Sequence, residues 1–349
     1  MKIIVLYEEL AWYFVNCLNA LAENHGVTIT VFSKKVNAIA PFEFKNIHKN
    51  IVIHDREDFT GDKLIKESRR INPDAIFLCG WIYKPYLTLI KALKVKNCVL
   101  GLDNQWSGSL RQLLGSIYFR TFLKKQIKYA FVPGNLQYNF ARKLGFTKKH
   151  IAKSLYCCDY SLFQKFYTQN QFLKKTSFPK RFLYVGRYET EKGIETLWSA
   201  FTELLEETNT DWELWCLGKG SIKPMQHPKI KHFGFVQQDE LNDVIKNTGV
   251  FVLPSIFEPW GVVVHEYTTA GFPIICSNKV GANETFLKEA VNGFSFEAND
   301  KNDLKNKLLK IIEISDEELN LMSENSSKIS SVITPDIWAA NFINLLQNE

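Results

Sequence analysis

Ser255-Ile-Phe-Glu-Pro-Trp-Gly-Val-Val-Val-His-Glu-Tyr-Thr-Thr-Ala-Gly271 passes from a strand exit through a short loop into a helix. The apolar run 249–253 leads into it as a strand. Gly271-Phe272-Pro273 stops the helix, and 274–276 begins another strand. Two carboxylates bracket the helix start: Glu258 in the loop and Glu266 about two turns in. The backbone N–H groups at Trp260, Gly261 and Val262 have no partner inside the helix and carry partial positive charge. Such a stretch suits a ligand with phosphate at one end and hydroxyls at the other. Glu266 lies in a run that otherwise reads as buried, and a buried acid needs a partner. The plainer reading is an α/β domain with glycine turns and solvated glutamates.

Outward from this stretch, strands and helices alternate. The first half reads as strands 3–7, 27–32, 51–53, 74–78, 98–102 and 130–132. Helices at 10–23, 61–70, 84–94, 110–129 and 135–144 lie between them. The second half reads as strands 181–185, 213–217 and 230–233 with helices 194–207 and 239–247, and it closes on helices 302–314, 316–331 and 335–347. Short apolar strands between helices of this length predict parallel sheets covered on both faces, an α/β class. The pattern breaks at the polar stretch 160–180. A chain of 349 residues is long for one core, so the expected division is a domain at 1–165, a linker at 166–180, a second domain at 181–333 and a terminal helix at 334–349.

The net charge of +6 hides an asymmetry. Residues 1–175 hold 27 Lys+Arg against 12 Asp+Glu, and residues 176–349 hold 16 against 25. Between Ala75 and Lys175 the only acids are Asp103 and Asp159, which points the first half towards an anionic partner. Seven cysteines without a Cys-x-x-Cys pair suggest free thiols in a reducing cytoplasm. Met1-Lys2 leads into only a brief apolar run before Glu8 and Glu9, so no signal peptide is expected. No uncharged apolar run approaches the ~20 residues that span a bilayer.

Three more loops carry chemistry. Val185-Gly186-Arg187-Tyr188-Glu189-Thr190-Glu191-Lys192-Gly193 leaves a strand with a guanidinium and an ammonium suited to phosphate oxygens. Leu217-Gly218-Lys219-Gly220 and His232-Phe233-Gly234 are glycine turns at two further strand ends. Loops at the carboxyl ends of parallel strands converge on one crevice, where open α/β sheets bind ligands. His265 adjoins Glu266 on another helix face and reads as core packing, and the other histidines lack metal spacing.

Glu258-x7-Glu266, with Pro-Trp-Gly after the first and Ala-Gly-x-Pro after the second, resembles the signature of retaining GT-B glycosyltransferases, in particular glycosyltransferase family 4. The resemblance extends through Gly186-Arg187, Glu191-Lys192-Gly193, Gly218-x-Gly220, Gly234-Phe235, Gly281-Ala282-Asn283-Glu284 and Asn292-Gly293, and covers nearly all of 181–331. Asp159-x3-Phe163 resembles a further segment of the family, with Cys157 and Cys158 in place of the usual glycine and valine. The resemblance implies two Rossmann-like domains facing each other across a cleft that holds the active site, with the last helix crossing back to the first domain. It implies that Arg187 and Lys192 bind the donor diphosphate and stabilise the leaving group. Glu266 would hold the ribose and Glu258 the donor sugar. Gly186, Gly218 and the amides of Trp260, Gly261 and Val262 would lie beside the sugar and phosphates. No cofactor or metal is expected, and no Asp-x-Asp triplet is present.

The first half departs from the family. Glu8-Glu9-Leu10-Ala11-Trp12 stands where a Gly-Gly loop is usual, and Asp103 takes the place of a histidine near the sugar. Residues 110–131 mix Arg111, Arg120, Lys124, Lys125 and Lys128 with leucine, isoleucine and aromatic residues. They read either as a basic amphipathic helix on an anionic membrane or as a core-facing helix with a solvated basic back. Nucleic acid is not an expected partner, since no binding motif accompanies the charge.

The expected function is transfer, with retention, of a hexose or N-acetylhexosamine from a UDP- rather than GDP-sugar. The acceptor would be a glycan or lipid-linked molecule in bacterial surface polysaccharide or glycoconjugate synthesis. The setting would be cytoplasmic, or peripheral on the inner face of the cytoplasmic membrane. A sugar-nucleotide epimerase on the same fold and a non-catalytic nucleotide- or membrane-binding module are the alternatives.

Overall fold

The computed structural model describes residues 1–35, 46–237 and 240–347. They form two compact units, Met1–Asp159 with Ile333–Glu349, and Tyr160–Val332.

The first unit is a sheet of β1 (Lys2–Glu9), β2 (Thr28–Lys34), β3 (Ile51–Asp55), β4 (Ala75–Cys79), β5 (Asn97–Gly101), β6 (Tyr129–Val132) and β7 (Ile151–Lys153). Helices α1 (Trp12–His25), α2 (Asp62–Ile71), α3 (Lys84–Leu93), α4 (Leu110–Tyr118) and α5 (Asn135–Lys143) accompany it. The second unit opens with α6 (Tyr160–Thr176). It continues through β8 (Arg181–Val185), α7 (Ile194–Glu207), β9 (Glu213–Leu217), β10 (Ile230–Gly234), α8 (Leu241–Asn247), β11 (Val250–Leu253), α9 (Val262–Thr269), β12 (Ile274–Ser277), α10 (Asn283–Phe286), β13 (Gly293–Phe296), α11 (Lys301–Glu313) and α12 (Asp316–Ser330). The last helix, α13 (Pro335–Gln347), returns to the first unit and lies against α1.

The sheet orders are β3-β2-β1-β4-β5-β6-β7 and β10-β9-β8-β11-β12-β13. Every pairing in both sheets is parallel. The order reverses between β1 and β4 in one sheet and between β8 and β11 in the other. Loops leaving neighbouring strands diverge at such a point and open a crevice. The central strands are unbroken apolar runs, as burial on both faces requires: Ile3 to Tyr7 of β1 and all of β11 are buried.

In the first unit, α13 is fixed by aromatic packing. Trp338 stacks on Phe342 with centroids 5.5 Å apart, and its indole N–H donates to Leu155 O at 2.7 Å. In the second, α12 starts with a capping box between Ser315 and Glu318, which satisfies two otherwise unpaired donors. Its Ser323 and Ser326 hydroxyls donate to the carbonyls of Gly271 and Phe272, and so secure the chain where it leaves α9.

The structure corrects three expectations. The expected linker 166–180 is mostly helix, because α6 runs through it to Thr176 and belongs to the second unit; the units divide after Asp159. Its buried face is Phe163, Phe166, Asn170 and Lys174, half of it polar, so the apolar period is weak. The helix expected at 110–129 ends as α4 at Tyr118, becomes a π-helical turn at Phe119–Leu123 and gives way to β6. Strands β7 and β13 were not foreseen, being only three and four residues long. The expected start of the 239–247 helix lies outside the described residues; α8 is seen from Leu241.

Candidate functional site

In the second unit, neighbouring β8 and β11 release loops at the reversal of sheet order, and these loops clasp each other through their backbones. Ile256 N donates to Glu191 O at 2.9 Å. Gly193 has φ +65°, and a Cβ there would stand 2.1 Å from Pro254 O, so only glycine allows this approach. The turn after β9 closes on the same place. Gly186 N donates to Leu217 O at 3.0 Å, and Gly218 N to Gly234 O at 2.7 Å. Gly218 has φ +131°, and its Cβ would lie 1.9 Å from Gly186 O. These glycine turns thus pack main chain to main chain.

On this scaffold the structure brings Lys192 to Glu258. Their ammonium and carboxylate are in contact, at 17% and 14% side-chain exposure. Arg187 lies more open and pairs with Glu191 at 3.2 Å. The Arg187 carbonyl accepts from the Tyr184 hydroxyl at 2.7 Å. Glu258 is held from both sides of its peptide: its N–H donates to Lys279 O at 3.2 Å, and its carbonyl accepts from Gly281 N at 3.0 Å. Trp260 is buried and turns its ring towards Phe286, so at this position the backbone, not the indole, is available to a ligand. Gly261 caps α9. The first N–H groups of α9 have no acceptor within the helix and form an anion-favouring end.

Along α9, Val264, His265 and Tyr267 are buried, while Val262, Val263 and Glu266 are half-exposed on one strip. Glu266 therefore faces the open side, in line with the helix start. His265 stacks on Phe286 at 4.2 Å and hydrogen-bonds Ser330 O at 3.0 Å, a packing role.

Asp103 belongs to the first unit, just beyond β5. Its carboxylate accepts from the Tyr156 hydroxyl at 3.0 Å, and its carbonyl accepts from Gln137 at 3.1 Å. Burial, then the Asp103 charge, pushes the Tyr156 hydroxyl well above its ordinary range, so it stays a donor. The same two causes push the Cys79 thiol, at the end of β4, up to about 12. Glu8, at the exit of β1, is taken up by a salt bridge to Arg56 at 2.6 Å and another to Lys34.

Of the residues singled out from sequence, the second unit carries Gly186, Arg187, Lys192, Gly218, Glu258, Trp260 and Gly261 on the loops after β8, β9 and β11, and Val262 and Glu266 on α9, while Asp103 is part of the other unit. Sequence reasoning missed Tyr184 and Tyr156, and it quoted Glu191 within a motif without giving it a partner. Glu191, four residues after Arg187, had the spacing of a helical ion pair as a signal. Tyr184 and Tyr156 had none, since the partners of buried hydroxyls are set by the fold.

Residues 167–329 match the family model described as glycosyl transferases group 1. An uncharacterized glycosyltransferase of Methanocaldococcus jannaschii is 36% identical over 124 residues, 33% of this chain and 31% of the relative. The UDP-Gal:alpha-D-GlcNAc-diphosphoundecaprenol alpha-1,3-galactosyltransferase of Escherichia coli is 33% identical over 88 residues, 25% of this chain and 22% of the relative. The chain thus aligns with about a third or less of the length of these two relatives. Among solved structures, HepE of Anabaena, in complex with UDP and glucose, superposes with a TM-score of 0.68 at 15% identity, covering 98% of this chain and 99% of that one. That likeness shows the fold, two parallel-sheet α/β units of the GT-B kind.

Proposed function

We propose, from the match of residues 167–329 to the glycosyl transferases group 1 family model, that the chain is a retaining glycosyltransferase that uses a UDP-sugar. The observation that carries this is the Lys192–Glu258 pair, set between an anion-favouring helix end and glycine turns that admit a ligand against the backbone. A nucleoside diphosphate places its phosphates against the α9 amides, Arg187 and Lys192. Glu266 takes the ribose hydroxyls and Glu258 the sugar hydroxyls. The acceptor oxygen forms a bond to the anomeric carbon as the bond to the diphosphate breaks. The acceptor proton passes to the leaving phosphate on the same face, and Lys192 stabilises the negative charge that builds there.

Two comparisons support the donor and acceptor class. The Escherichia coli relative is named for UDP-galactose and a diphosphoundecaprenol acceptor, and HepE was solved with UDP and glucose. The acceptor is accordingly a glycan or lipid-linked molecule of surface polysaccharide synthesis, held by the basic first unit, and Asp103 orients the sugar. A peripheral position on a membrane suits such an acceptor; no helix of the described residues is long and apolar enough to cross one.

A thermal-shift series tests the donor. At a hundred times Kd, a ligand of the folded state stabilises it by about 2.7 kcal/mol. UDP-sugars are expected to raise Tm by several degrees and GDP-sugars not; no shift with any nucleotide sugar would remove the proposal. Asp103→Asn is expected to leave the donor shift intact and to lower transfer about tenfold, as when one charge-assisted hydrogen bond is lost. Wild-type transfer in that variant would make Asp103 structural only. Retention is read from the anomeric coupling of the product.

A further inference from the structure

Helix α4 is turned inside out. Leu110, Leu113, Leu114, Ile117 and Tyr118 recur at helical spacing on one face and are 43–70% exposed. The opposite face, Gln112, Gly115, Ser116 and Phe119, points inward. That inner face is specified in detail. Gln112 donates to Gln105 O at 2.7 Å and accepts from Ser107 N at 2.6 Å; the Ser116 hydroxyl donates to Gln112 O at 2.8 Å. A Cβ on Gly115 would stand 3.2 Å from the Trp81 ring. Rotating the helix to bury its leucines would break the Gln112 contacts to Gln105 and Ser107 and the close approach of Gly115 to Trp81. The π-helical turn that follows is wider than an α-turn, and Phe122 stays on the outer side with its ring 5.2 Å from Tyr118. Ile82, next to Trp81, is 80% exposed.

Exposed Arg111, Arg120 and Lys125 accompany the strip, and no acidic residue occurs anywhere from 104 to 158. A soluble surface has no use for so many adjacent apolar side chains, and patches of this kind mark interaction sites. The charge selects the partner. A two-fold contact with a second copy of this face would set its cations against their own kind. An anionic lipid surface takes the apolar strip among its acyl chains and the cations at its headgroups.

We infer that the outward face of α4, with Phe122 and Ile82, docks on an anionic membrane surface. This does not rest on the transfer reading. The helix begins seven residues after Asp103, so docking would bring the expected acceptor end of the first unit to the headgroup plane.

The test uses the full chain and sedimentation with phosphatidylcholine vesicles, with and without phosphatidylglycerol. Wild type is expected to bind the anionic vesicles about one to two orders of magnitude more tightly, each cation contributing roughly fivefold. Leu114→Asp with Ile117→Asp is expected to lower that binding at least about tenfold. Arg111→Glu with Arg120→Glu is expected to abolish the preference for anionic lipid. Unchanged circular dichroism and Tm would show that these surface variants fold. Equal binding to neutral vesicles, or full binding by the double-aspartate variant, overturns the inference. So does a dimer that this variant converts to monomer while wild type ignores vesicles, because the face would then be a self-interface. A UDP-sugar thermal shift, measured on the same variants, reports on the other unit and keeps failure here distinct from failure of the transferase reading.

Discussion

Lys192→Ala is expected to lower kcat/KM for the proposed sugar transfer by about two to three orders of magnitude, the scale on which removal of a charged group at a developing oxyanion is felt. The reasoning starts from burial. The Lys192 and Glu258 side chains are mostly withdrawn from water, at 17% and 14% exposure, and each is the other's ion-pair partner. In that setting an ammonium acts more strongly on a departing diphosphate than it would in bulk water. The variant also leaves the Glu258 carboxylate without its cation, which costs stability as well as rate. The two effects separate in a double-variant cycle. Lys192→Ala with Glu258→Ala should recover much of the lost Tm, because no unpaired charge remains, but should not recover transfer. Near-normal kcat/KM in Lys192→Ala would take the residue out of the site. Recovery of activity together with Tm in the double variant would reduce the pair to a structural salt bridge.

The parts of this arrangement differ in how far they could be read from the chain. The glycines at 186, 193, 218 and 261 and the two glutamates were visible because their roles are local: a turn, a close approach, a helix start. The pairing of Lys192 with Glu258 spans 66 positions and exists only because β8 and β11 are neighbours in the sheet. The hydrogen bond from Tyr156 to Asp103, 53 positions apart, has the same origin. Helix α6 was hidden for another reason. Two of its four buried positions are Asn170 and Lys174, so a search for apolar periodicity finds only Phe163 and Phe166. For α4 the periodicity was plain, but periodicity defines two faces without saying which is inside. The inward choice was made by Gln112 and Gly115, whose contacts with Gln105 and Trp81 appear only in the fold.

Lys174→Met should stabilise the second unit, and by an amount that depends on pH. Lys174 is 4% exposed, and its ammonium has no hydrogen-bond partner among the described residues. Burial pushes its pKa down from 10.5 to about 7. The Phe272 ring, 3.8 Å from the nitrogen, acts in the opposite direction because its face favours a cation. Between about pH 7 and pH 10.5 the unfolded chain holds a proton that the folded chain has lost, so the wild type gains stability as pH rises through that window. Below it both states are protonated, and the cost of a buried charge is present in full. At pH 7 the shift corresponds to about 4 kcal/mol, and the cation–π contact offsets up to ~2 kcal/mol of that, leaving a gain of about 2–4 kcal/mol for a methionine of similar length. Urea unfolding followed by a probe in the second unit should show the gain at pH 7, and it should shrink towards zero near pH 10. A gain that does not vary with pH would trace it to packing. No gain at all would mean that the ammonium is satisfied where it lies, with the Phe272 face repaying its desolvation.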